Sequence, residues 1–144
     1  MSRPLDILYA EDSAPDVELM REALEELGFE HRLHVARNGE EALAFLRRRS
    51  AHARALPPDL VILDLNLPLK TGLEVLRELA VDEALAGLRI AVLTTSARQQ
   101  DVREAAGTMP VGFFIKPLDF DSFLATVRTI EAMARATEPF DPDP

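Results

Sequence analysis

Residues 60–72 read LVILDLNLPLKTG. The opening run, Leu60 to Leu65, is interrupted only by Asp64. Successive side chains of an extended chain point to opposite sides, so this run is apolar on both faces. A strand of that kind belongs in the middle of a parallel sheet covered above and below, whereas a half-solvated strand would alternate. Working outward, the same pattern recurs at Leu5 to Ala10 (LDILYA), Arg89 to Thr94 (RIAVLT) and Gly112 to Ile115 (GFFI), and more weakly at His31 to Ala36 (HRLHVA).

Between these runs the apolar period changes from continuous to helical. Val17, Met20, Leu24 and Leu27 fall on one stripe. Ser13 supplies an N-cap, Pro15 and Asp16 suit a first turn, and Gly28 supplies the stop. Glu41 to Leu46 suggest a second helix, and Leu73, Leu76, Leu79 and Ala80 a third. Asp101 to Ala106 suggest a short fourth. Phe120, Phe123, Leu124, Val127, Ile130 and Ala134 repeat at threes and fours in a fifth. Strand then helix, five times, predicts an α/β fold with a parallel sheet, and right-handed crossovers put helices on both faces. Arg47 to Pro58 (RRRSAHARALPP) reads as a loop whose basic residues face solvent or a partner protein. One domain is expected over residues 1–137, followed by an acidic, proline-rich tail over 138–144 that is expected to be flexible.

Composition narrows the function classes. The chain has 144 residues, with 25 Asp and Glu against 16 Lys and Arg and a net charge of −9. Such a surface repels nucleic-acid phosphates, so no nucleic-acid partner is expected. There is no cysteine, which excludes disulfides, thiol catalysis and Cys-ligated metal sites and fits a reducing compartment. The N-terminus meets carboxylates before a signal-type apolar run forms, and no apolar stretch approaches the ~18 residues of a membrane span. A cytoplasmic domain without a membrane partner is the expectation.

The chemistry is concentrated where strands end. Glu11 and Asp12 follow the first strand, and Asp64 ends the apolar part of the third. Open parallel sheets bind ligands beyond the carboxyl ends of their strands. With the first and third strands adjacent, three carboxylates meet there, an arrangement that is unfavourable without a cation or proton. An all-oxygen set selects a hard cation, Mg2+ in particular. Thr94 ends the fourth strand with a hydroxyl, and Lys116, before Pro117, ends the fifth. Carboxylate, hydroxyl, ammonium and Mg2+ together suit phosphoryl transfer, with Asp64 as nucleophile and Glu11 and Asp12 as metal ligands.

YAEDS (9–13), LVILDLNLPLKTG (60–72), AVLTTSA (91–97) and FFIKP (113–117) together resemble a two-component response-regulator receiver domain over residues 5 to 135. The resemblance implies a flavodoxin-like sheet of order 2-1-3-4-5. It implies that Asp64 accepts a phosphoryl group from a phosphohistidine of a sensor histidine kinase. Glu11, Asp12, Asp64 and the backbone carbonyl of Asn66 would hold Mg2+. Thr94 would bond a phosphoryl oxygen, Lys116 would pair with the phosphoryl group, and Pro117 would be cis. Thr94 and Phe113 fall at the family's switch positions, although Phe113 is also a natural core residue. LDLNLPLKTG, LTTSA and RRRSAHARALPPD further resemble stand-alone regulators paired with phytochrome-type histidine kinases. No output domain is expected beyond the fifth helix, so output falls to protein contact, dimer change or phosphoryl storage. The fifth-helix stripe, with Phe123, Val127, Ile130 and Met133, suggests a homodimer interface.

Some positions stay open. Thr95 is the alternative to Thr94 for the hydroxyl contact. Asn66 and Ser96 either tune water access or are ordinary loop polarity. His31, His34 and His52 read as structural or solvated. Met109 and Pro110 stand where the family has glycine seven residues before the lysine, with Gly107 two residues early, so the fourth helix should end irregularly or short. A haloacid-dehalogenase-like phosphatase also uses a strand-end aspartate with Mg2+, but its general acid would fall at Asn66, which has no proton to give that way. A degenerate receiver acting only as a scaffold conflicts with the intact acidic positions.

Overall fold

A computed structural model describes residues 4–51, 56–95 and 98–136. Five strands, β1 (Leu5–Ala10), β2 (His31–Ala36), β3 (Leu60–Leu63), β4 (Ile90–Thr94) and β5 (Val111–Ile115), form one sheet in the order β2-β1-β3-β4-β5. Every pairing is parallel. Five helices alternate with them: α1 (Ala14–Leu27), α2 (Gly39–Ala51), α3 (Gly72–Ala80), α4 (Gln99–Ala106) and α5 (Phe120–Arg135). This is the flavodoxin-like architecture of the receiver fold, as the strand pattern and the resemblance implied.

The strand side chains sort by parity, as two-sided burial requires. Leu8, Ala10, Val61, Leu63, Ile90 and Val92 face one core with α2, α3 and α4. Ile7, Tyr9, Leu60, Ile62, Ala91 and Leu93 face the other, with α1 and α5. Local signals fix several helix ends. The Asp16 N–H donates to the Ser13 side chain, and Gly28 closes α1 at φ 77°. Thr71 and Glu74 cap α3 reciprocally, a capping box that sets the helix immediately after the loop carrying Asp64.

Several boundaries differ from expectation. β3 stops at Leu63 rather than Leu65: the Asp64 N–H still bonds the Ala10 carbonyl at 3.1 Å, then the chain turns away to start the loop. β4 starts one residue later than expected, β5 one earlier, and α4 two earlier. A 3-10 turn at Glu83–Leu85, capped by Asp82, was not anticipated. The basic stretch read as a loop from Arg47 is helical to Ala51, because Arg47 pairs with Glu78 at 2.8 Å and Arg49 with Asp6 at 2.9 Å. Cations in a last turn also favour the helix macrodipole. α4 ends short, as Met109 suggested: Gly107 adopts φ 61°, its N–H bonds the Arg103 carbonyl, and the Met109 N–H bonds that of Ala106.

Two residue assignments need correction. Phe123, Val127 and Ile130 are buried in the core between α5 and the sheet, and Met133 packs against the same cluster. The stripe read as a dimer face is therefore satisfied within one chain. Pro117 is not cis: among the described residues no peptide bond is. The trans form is favoured for an X–Pro bond by about 0.5–1 kcal/mol, and Lys116 reaches its carboxylates from it. His52, Ser96 and the tail over 138–144 lie outside the described residues.

Candidate functional site

The sheet register dictates which residues meet. Ala10 pairs with Leu63, so the next residues, Glu11 and Asp64, leave adjacent strands side by side. Thr94 pairs with Ile115, and the following Lys116 N–H donates to the Thr94 carbonyl at 2.8 Å. All four residues therefore stand at the carboxyl edge of the sheet, the ligand-binding edge of open α/β folds.

Glu11, Asp12 and Asp64 each offer a carboxylate oxygen within 4.8 Å of the others. Glu11 and Asp64 are buried while Asp12 is exposed, so the cup opens to solvent on one side. The Lys116 ammonium is hydrogen-bonded to Glu11 Oε1 and to Asp16 Oδ2 at 2.9 Å, and lies 3.7 Å from Asp64 Oδ2. Tyr9 and the Ser13 N–H also donate to Glu11, at 3.3 and 3.2 Å. Burial pushes the Glu11 carboxyl above its ordinary range; the Lys116 hydrogen bond opposes this and the Asp64 charge adds to it. Burial alone would depress Lys116, but its bonds to Glu11 and Asp16 and the charge of Asp64 carry it above the ordinary lysine value. Burial, with the Glu11 charge behind it, raises Tyr9 far enough to keep the phenol neutral.

The donor set fits a hard divalent cation. Three carboxylates converge with one face open and no sulfur or imidazole is among them; burial, with the Asp64 charge added to it, disfavours the Glu11 carboxylate, and a bound cation would offset both. Asn66 follows in the loop, exposed, its N–H 3.4 Å from Asp64 Oδ1. Thr94 is fully buried and its hydroxyl has no hydrogen-bond partner, whereas Thr95 is exposed. An unpaired buried hydroxyl is unfavourable in a resting protein and suits one that bonds a ligand part of the time. Phe113 is partly buried and lines a small apolar cavity of about 50 Å³ with Val102, Met109 and Val111 beside α4.

Sequence reasoning brought Glu11, Asp12, Asp64, Thr94 and Lys116 to one edge, and the structure joins them there. It missed Asp16, which was read as a helix-start acid. The available signal was that α1 begins four residues after β1, so the third residue of its first turn stays at the rim. The two described histidines take no part: His34 bonds Asp6 at 2.8 Å near the opposite edge, and His31 bonds the Phe29 carbonyl.

Comparison with known proteins agrees with the geometry. The family model of the response regulator receiver domain matches residues 7–128. The chain is 38% identical over 128 residues to a probable methanogenesis regulatory protein, FilR2, of Methanothrix harundinacea, covering 89% of this chain and 82% of that one. It is 40% identical over 99 residues to the response regulator Rcp1 of Synechocystis, covering 69% and 67%. Among solved structures, the phosphorylated cyanobacterial phytochrome response regulator RcpA superposes with a TM-score of 0.79 at 34% identity, covering 94% of this chain and 97% of that one. The Mn(2+)-bound form of Rcp1 gives 0.76 at 34%, covering 96% and 99%. With 122 consecutive residues matched and the acidic cup built where that fold binds its ligands, this chain belongs to the response regulator receiver family.

Proposed function

We propose that the chain is a signalling receiver that accepts a phosphoryl group on Asp64 from the phosphohistidine of a sensor histidine kinase. The observation that carries this reading is the convergence of Asp64 with Glu11, Asp12 and Lys116 at one sheet edge. An Asp64 Oδ attacks phosphorus, the P–N bond to the donor imidazole breaks, and an aspartyl phosphate forms. Lys116, 3.7 Å from Asp64, is in reach of the incoming oxygens and offsets their charge. The unpaired Thr94 hydroxyl supplies a further donor once the group is in place. Mg2+, held by Glu11, Asp12, Asp64 and the Asn66 carbonyl, would neutralise charge on the transferring group. Hydrolysis of the aspartyl phosphate by water returns the resting state, so the domain catalyses only reactions of its own carboxylate.

Similarity to RcpA and Rcp1 supports a phytochrome-type kinase as phosphoryl donor. A cytoplasmic setting belongs to the same reading, as the side on which a sensor kinase would present its phosphohistidine; among the described residues no helix is long and apolar enough to cross a membrane. The deciding experiment is labelling by acetyl phosphate in Mg2+, with Asp64→Asn alongside. Loss of label in the variant is the expected result; label retained at another residue overturns the assignment.

A further inference from the structure

An ammonium has three N–H donors, and three carboxylates surround that of Lys116. Glu11 and Asp16 are hydrogen-bonded to it and Asp64 stands at 3.7 Å. Glu11 and Asp64 also belong to the cluster that fits a divalent cation, and Asp16 does not. A cation arriving at Glu11 competes with Lys116 for the same carboxylate and repels it. With Glu11 and Asp64 as its only partners, Lys116 would lose both to the metal. Asp16 offers an anion outside the cluster, on backbone held by the Ser13 cap and the Pro15 turn.

We infer that Asp16 is a positioning residue which holds Lys116 beside Asp64, so that the ammonium and a divalent cation occupy the cup together. Asp16 touches Lys116 and acts through it. The inference rests on the phosphoryl-acceptance reading, and its test separates the two.

A double-mutant cycle on the full chain decides it, with Mg2+ affinity read by calorimetry and beryllofluoride uptake by fluorine NMR. The variants are Asp16→Asn, Lys116→Met and the pair, each checked by thermal unfolding. A fixed charge acts pairwise, so if Asp16 were only a nearby anion, neutralising it would lower Mg2+ affinity equally whether or not Lys116 is present. As a positioning residue it does more when Lys116 is there to be misplaced. Asp16→Asn is expected to weaken Mg2+ binding about tenfold more in the Lys116 background than in the Lys116→Met background, the scale of one charge-assisted hydrogen bond. Asp16→Glu, which keeps the anion and the donor pairing, is expected to restore most of the loss. Equal losses in both backgrounds, or a larger one without Lys116, overturn the inference. A wild-type chain that binds neither Mg2+ nor beryllofluoride overturns the phosphoryl-acceptance reading as well.

Discussion

Gly72 lies directly against Asp64: a Cβ at Gly72 would sit 2.5 Å from the Asp64 carbonyl oxygen and 2.7 Å from the Leu65 Cα. Both neighbours are backbone, so neither can swing aside. Alanine at a helix start should gain about 1 kcal/mol over glycine in propensity, but forced overpacking costs about 1–3 kcal/mol. The overlap wins. Gly72→Ala is expected to lower stability in a denaturant titration and to slow labelling by acetyl phosphate, because the strand end carrying the acceptor must shift. A variant that is more stable and labels normally would show that the loop yields without moving Asp64.

Thr94→Val should separate stability from function. The hydroxyl is buried without a partner, and valine has nearly the same shape. Removing an unsatisfied buried group of this kind is expected to stabilise the chain by about 1–2 kcal/mol. The same change removes a donor for the phosphoryl group, so beryllofluoride affinity should fall. Destabilisation by valine would mean that the hydroxyl finds a partner in solution.

The fold was legible because β1, β3 and β4 are apolar on both faces; β1 and the edge strand β2 have the bounds that the sequence suggested, and the order of acids, hydroxyl and lysine at the strand ends survived folding. What could not be read were matters settled by distant partners. The last turns of α2 carry Arg47 and Arg49, with no apolar periodicity to mark them as helix. Their support comes from Glu78 and Asp6, 31 and 43 positions away in sequence. Lys116 was legible as a neighbour of Asp64, yet its closest partners are Glu11 and Asp16, a preference set by where α1 begins. The α5 stripe was read as a dimer face because helical spacing shows which residues are apolar and not what covers them: α1 and the sheet absorb it within one chain.

The Glu11 carboxyl gives a pH dependence of definite sign. Its folded value is raised above the ordinary 4.5, burial being the largest cause. The folded chain therefore keeps this proton to higher pH than the unfolded chain, and stability falls as pH rises from about 4.5 through the raised value. The Lys116 linkage has the same sign but lies outside this window: its stabilisation is fully present below 10.5 and is lost only as pH rises through the raised value. In a chelator at neutral pH, Glu11→Gln should then be more stable than the wild type, the gap opening from pH 4.5 upward. Saturating Mg2+ should reverse the order, since the wild-type carboxylate gains a ligand and glutamine does not. Thermal unfolding across pH, with and without Mg2+, checks both halves; a wild-type chain more stable than Glu11→Gln in chelator would contradict the first.

Ile130 decides whether the α5 stripe serves the chain itself or a second copy. It is fully buried in the core that α1 and α5 form with one face of the sheet within one chain. Truncation there leaves a cavity, and Ile130→Ala is expected to cost about 2–5 kcal/mol. A core residue lowers stability by the same amount at every protein concentration, whereas an interface residue lowers it only where the dimer is populated. Denaturant unfolding at two concentrations a hundredfold apart distinguishes these. Equal losses at both identify α5 as core and leave any dimer of this receiver to another surface. A loss confined to the higher concentration, together with a reduced mass in sedimentation, would return Ile130 to an interface.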